Sequence, residues 1–181
     1  YEEGKIINLK AEVVDIAGNK TVINIASDKL LIDTVVPTIS NVESVDGLGV
    51  IRNGLFGIDD AINIKLTFSE ALTLTDGVAK VGLDVVTVPE IAAADLQGVD
   101  NVTIAYTVQE GDESVSLSFT GLTLPTGVLR DNAGNDMAVL AADVGFSLEN
   151  TSSVEIDGIY PVAFDAGAVI TQTSNTDDII A

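Results

Sequence analysis

The residues best suited to chemistry in this chain are aspartates, and they recur in a fixed order. Asp15-Ile16-Ala17-Gly18-Asn19 returns as Asp131-Asn132-Ala133-Gly134-Asn135. Ile32-Asp33-Thr34-Val35-Val36-Pro37 returns as Ile156-Asp157-Gly158-Ile159-Tyr160-Pro161. In both places a β-like run separates the D-x-A-G-N signal from I-D-x-x-x-P. Asp, Asn and backbone carbonyls are hard oxygen donors, and a flexible set of six to eight such oxygens suits calcium. Magnesium demands a tighter octahedron with more water, and transition metals favour the His and Cys that the chain lacks. D-N-A-G-N-D has neither the spacing nor the terminal Glu of an EF-hand loop, so ligands would have to converge from several loops. The same letters have a second reading. Asp and Asn before Gly build turns closed by their own side-chain hydrogen bonds.

Composition narrows the field. The formal charge is −20, from 28 acidic against 8 basic residues, which excludes the cationic footprint needed for nucleic acid or anionic membrane. It favours cation binding or a salty medium that screens self-repulsion. With 46% apolar residues the chain can bury a core without a staple. No apolar run is long enough to span a membrane, so no membrane insertion is expected in this segment. Without His or Cys the usual general base and thiol nucleophile are missing, and no carboxylate pair stands out for glycoside chemistry. The chain is not expected to be an enzyme. Lys65 falls on the polar phase of its strand, which argues against a buried Lys–Asn isopeptide bond. Asn19, Asn101 and Asn150 match the short glycosylation pattern.

The elements that must hold these residues read as strands. Ile7, Leu9, Ala11 and Val13 alternate with polar residues over 5–14, D-x-A-G-N turns the chain, and 20–25 returns. Residues 1–37 thus read as the last strands of a truncated domain plus a linker closed by Pro37. Residues 38–161 read as a complete domain, and 162–181 as the start of another. Within the complete domain, strands are predicted over 39–45, 62–69, 102–108 and 115–119, one or two over 78–88, and weaker ones over 137–140 and 144–148, with 154–156 entering the outgoing linker. Residues 46–61 read as a long Gly- and Asp-rich loop, and 89–96 as a helical turn opened by Pro89. Some seven short strands predict an all-β fold, a sandwich of two antiparallel sheets.

Two strings add a resemblance. Ile62-Asn63-Ile64-Lys65-Leu66-Thr67-Phe68-Ser69-Glu70 resembles the I-x-V-T-F-S-E strand of bacterial and archaeal Ig-like repeats. Tyr106-Thr107-Val108-Gln109-Glu110-Gly111-Asp112 resembles their Y-T-V-Q-x-G-D segment. Together with the repeated aspartate signals, this likeness covers most of residues 5–161. It implies tandem Ig-like β-sandwich domains of a cell-surface protein, either a calcium-stabilised surface layer (S-layer) or the stalk of a large adhesin whose binding tip lies elsewhere. The partners implied are neighbouring domains of the same chain and a homo-oligomeric surface lattice. Two positions depart from the pattern. Asp59-Asp60 stands where Gly-Asp is usual, and Gly158 stands where Thr or Ser usually follows the linker aspartate, which implies a softer linker.

In such a sandwich the loops collect at two ends. Asp131, Asn135 and Asp136 are expected beside the incoming linker and Asp33, with Asp76 on a neighbouring loop. Asp59, Asp60, Glu110, Asp112 and Glu113 are expected at the opposite end, where the outgoing linker brings Asp157. This resembles the arrangement in cadherins, where loops of one domain, the linker and the next domain share calcium. All of these carboxylates and Asn135 are candidate calcium ligands.

Overall fold

The computed structural model describes residues 4, 6–7, 10–24, 30–137, 148 and 151–161. Among the described residues the chain is all-β. The first four strands are β1 (Ile6–Ile7), β2 (Lys10–Val14), β3 (Lys20–Asn24) and β4 (Leu30–Leu31). β2 and β3 form a hairpin around Asp15–Asn19, and β1 pairs antiparallel with β4. Within the strand expected over 5–14, Ile6–Ile7 and Lys10–Val14 are strand, and Val13, Val14, Val22 and Ile23 stay about half exposed. No ladder among the described residues joins these four strands to those that follow.

After Pro37 come β5 (Ile39–Val45), β6 (Gly54–Gly57) and β7 (Ala61–Leu74). β8 (Val78–Leu83) and β9 (Glu90–Ala92) follow, then a single 3-10 turn, Ala93–Asp95. β10 (Gln97–Thr107), β11 (Glu113–Ser114), β12 (Phe119–Thr123), β13 (Leu129–Asp131) and β14 (Val154–Asp157) complete the set. Strict alternation makes β7 the organising strand: Ile62, Ile64, Leu66, Phe68, Leu72 and Leu74 are all buried. β10 pairs along one edge of β7, while β5 and β13 share the pairing with the residues before and after its middle. Each aliphatic side chain buried this way contributes about 1.5–3 kcal/mol.

A second group of strands faces the same core. β12–β8–β9 forms one ladder and β11–β14–β6 another. Leu117 N–H donating to the Val154 carbonyl links the segment before β12 to β14. Val81, Leu122, Ile156 and Phe56 from these ladders join Ile64, Leu66 and Ile104 in one continuous cluster. The ladders are antiparallel except β6 with β14, which is parallel, so the expectation of purely antiparallel sheets needs that correction.

Three other expectations change. The presumed loop over 46–61 contains β6, a four-residue strand bounded by glycines that has little β signal of its own. The helical turn expected over 89–96 is confined to Ala93–Asp95, and β9 occupies Glu90–Ala92 before it. The single strand over 115–119 is broken, because the Asp84 carboxylate accepts from Ser118 N–H and Ser114 Oγ and draws the backbone off the ladder. Val115 is left 88% exposed while Leu117 is 1% exposed. The strands expected over 137–140 and 144–148 fall largely outside the described residues, as does 162–181.

Because the alternation is broken at that point, two neighbouring residues should respond very differently to truncation. Leu117→Ala should cost about 2–5 kcal/mol by chemical denaturation. Val115→Ala should change stability by no more than about 0.5 kcal/mol.

Candidate functional site

The middle of β7 carries a discontinuity that builds the site. On one edge, β5 pairs with β7 up to Ile39↔Phe68, and β13 takes over at Asp131↔Leu72. On the other edge, the register with β10 slips between Val99↔Leu72 and Asn101↔Thr67. Residues 69–71 therefore bulge out of the ladder. Ser69 stitches the start of the domain there: its N–H donates to the Thr38 carbonyl and its Oγ accepts from Thr38 N–H. Glu70 stands in the seam between the start of β5 and the end of β13. The linker arrives at the same seam from Asp33.

One carboxylate oxygen each from Asp33, Glu70 and Asp131 lie within 4.8 Å of one another. Asp131 is buried and the other two are partly so. Asp131 is held by its own turn. Its Oδ1 accepts from Gly134 N–H at 2.6 Å and Asn135 N–H at 2.8 Å, and its Oδ2 accepts from Asn135 Nδ2 at 2.8 Å. Burial opposes its charge, but these hydrogen bonds from Asn135 and Gly134 outweigh it and hold the carboxyl below the ordinary aspartate range. Asn135 Nδ2 also donates to the Asp33 carbonyl at 3.3 Å, so the turn touches the linker directly. Asp33 Oδ1 accepts from Val35 N–H at 3.2 Å, closing the linker's own turn. Three anionic groups at this spacing repel, and a hard divalent cation relieves that repulsion. Asp33 and Asp131 each have lone pairs beyond those used in their own turns. The donor set is all oxygen, which suits hard cations such as magnesium, calcium and manganese.

The remaining candidate ligands are used differently. Asp136, expected beside Asp33, is instead paired with Arg130 at 2.6 Å. Asp76 lies in the turn after β7, its backbone packed where a side chain on Gly127 would fall. At the outgoing end the expected gathering does not occur among the described residues, where the one group of three acidic ligands is at the incoming end. Asp59 sits at positive φ (69°) with its N–H on the Val108 carbonyl. Asp60 Oδ2 accepts from Gly57 N–H and closes that turn. Glu110 is exposed in the turn before Asp112. Glu113 pairs across the ladder with Asp157, whose Oδ1 accepts from Ile159 N–H at 3.1 Å.

Asp112 is the clearest departure. It is fully buried (0% exposed), and both carboxylate oxygens are taken by the fold. Oδ1 accepts from Thr87 N–H at 2.9 Å, and Oδ2 from Tyr106 OH at 2.8 Å and Gln109 N–H at 3.0 Å. Burial pushes its carboxyl up, and the hydrogen bonds from Gln109, Thr87 and Tyr106 more than reverse that. Burial and the contact with Asp112 push the Tyr106 hydroxyl up in turn. The fixed 109–112 loop then grips the outgoing linker. Gly158 N–H donates to the Asp112 carbonyl at 2.7 Å, and Gly111 N–H donates to the Gly158 carbonyl at 2.9 Å. A Cβ on Gly158 would collide with the backbone of Gln109 and Asp112. The softer linker expected at Gly158 is therefore corrected: glycine is what allows this close approach.

Glu70 is the residue that sequence reasoning passed over. A signal was there, since Glu70 continues the inward phase of Ile62, Ile64, Leu66 and Phe68. Comparison with protein-family models, with curated proteins and with solved structures finds no match to this chain.

Two outcomes follow at the outgoing end. Gly158→Ala should lower stability by about 1–3 kcal/mol through overpacking against backbone. Asp112 has a depressed carboxyl, so its contribution is complete above the ordinary aspartate range and is lost as pH falls through its own lower value. Asp112→Asn should cost about 1–3 kcal/mol at neutral pH. It should also flatten the acid limb of a stability–pH curve measured by urea midpoints.

Proposed function

We propose that this chain is a structural, non-catalytic piece of an extracellular surface assembly, built from Ig-like sandwich domains in tandem and ordered by calcium. The observation that carries the reading is the meeting of Asp33, from the linker, with Glu70 and Asp131, from the domain that follows it. A cation held there would fix the angle at which the linker enters the domain. The shared core beneath two groups of ladders supports a sandwich, and the repeated aspartate signals support tandem units. A surface-layer lattice is the preferred setting, at the cell wall and outside the membrane.

Calcium at a hundredfold excess over its dissociation constant should raise unfolding free energy by about 2.7 kcal/mol. Chelator should reverse the gain, and Glu70→Gln or Asp33→Asn should remove most of it. A melting curve indifferent to calcium and chelator would sink the proposal. Sedimentation in the same solutions separates the settings: lateral association fits a lattice, and a calcium-stiffened monomer fits an adhesin stalk.

A further inference from the structure

The chain contains two turns and two linkers of the same kinds, and among the described residues one turn is mated to one linker. The two turns share their geometry. Asp15 accepts from Asn19 N–H and Asn19 Nδ2 at 2.8 and 2.7 Å, as Asp131 accepts from Asn135 N–H and Nδ2, both at 2.8 Å. Asp15 N–H donates to the Asn19 carbonyl, and Asp131 N–H to that of Asn135. The two linkers share one turn, although Asp157 ends β14 and pairs with Glu113 and Gly57 while Asp33 lies outside any strand. Val35 N–H donates to Asp33 Oδ1 at 3.2 Å, and Ile159 N–H donates to Asp157 Oδ1 at 3.1 Å.

The mated pair is the Asp131–Asn135 turn with the Asp33 linker, through Asn135 Nδ2 and the Asp33 carbonyl. Among the described residues the hydrogen bonds of Asp15 and Asn19 close only within their own turn. The outgoing linker is likewise bonded only to its own domain, with Ile159 and Tyr160 51% and 59% exposed beside a shallow hollow. Its direction is already set by the grip of the 109–112 loop on Gly158. Among the described residues, the Asp15–Asn19 turn meets no linker and the outgoing linker meets no turn of this kind.

We propose that residues Asp157–Pro161 form a docking surface for the D-x-A-G-N turn of another domain of this fold, with that turn's Asn donating to the Asp157 carbonyl. The Asp15–Asn19 turn is the matching surface for a linker of the I-D-x-x-x-P kind. The partner is a unit like this one, recognised by a side-chain amide on a preset carbonyl. Asp157 thus looks outward for its contacts and not to Asp59, Asp60 or Glu110 of its own domain. The inference rests on the tandem reading but not on calcium.

The test is a tandem protein in which residues 38–181 of a second copy follow Pro161 of a full first chain, so that Pro161 takes the place of Pro37. The chain has no Cys, so a Thr103→Cys substitution in each copy gives two defined spin-label sites. The expected result is one narrow inter-label distance distribution, in calcium and in chelator. Asn135→Ala in the second copy should at least double its width. Asn135→Ala in the first copy should leave it unchanged. A broad distribution in the unsubstituted tandem overturns the inference, and so does a width insensitive to the substitution in the second copy while both copies unfold with their usual midpoints. Failure of calcium to stabilise the single chain would defeat the calcium reading and leave this width unaffected. The two failures are thereby told apart.

Discussion

The structure hangs on the alternation of one strand, Ala61–Leu74, and on the place where that alternation is interrupted. A strand buried on one face tolerates no slip of register, because one residue's shift would turn every apolar side chain to the wrong side. β7 satisfies this over both of its halves and bulges between them, where β5 ends its pairing and β13 begins. The bulge gives Glu70 a partly solvated position within an otherwise apolar phase. The same irregularity that lets two strands share one edge therefore delivers a carboxylate to the linker.

Acidic residues elsewhere in the chain serve the backbone. Asp84 pulls a segment off its ladder, Asp112 ties the Thr87 segment and Tyr106 of β10 to its own loop, and Asp46 accepts from Leu48 and Val50 N–H to close a turn. In each case the carboxylate replaces a missing ladder partner for a backbone N–H. A highly acidic composition is in part a way of building tight turns without longer connections.

Much of this was legible beforehand where the pattern is local. The strand over 39–45 has the limits read for it after Pro37, and β7 begins one residue before the reading and continues past it. Asp33 and Asp131 were placed together by counting strand directions, and their carboxylates do meet. What could not be read depends on distant partners. The break at 115–118 is caused by Asp84, some thirty positions away, and β6 exists only because β14 offers it an edge. Asp112 and Glu110 look alike in sequence, yet one lies beneath Tyr106 and the other in solvent. Periodicity says which face a residue takes, not which loop will cover it.

The parallel pairing of β6 with β14 has a mechanical consequence. β6 lies near the start of the region after Pro37 and β14 just before the outgoing linker. Tension entering at Pro37 meets the Thr38–Ser69 bonds and the β5–β7 ladder first; once these yield, it and a pull at Pro161 load the pair from opposite ends, because parallel strands have their leading ends on the same side. The slanted, evenly spaced bonds of a parallel ladder are then loaded together in shear, not peeled open one at a time. Resistance to such a load is set by how fast the domain unfolds, not by its equilibrium stability. Next to β14, Gly158 is gripped by the 109–112 loop, so the pull is passed into the body of the domain before it can fray the strand.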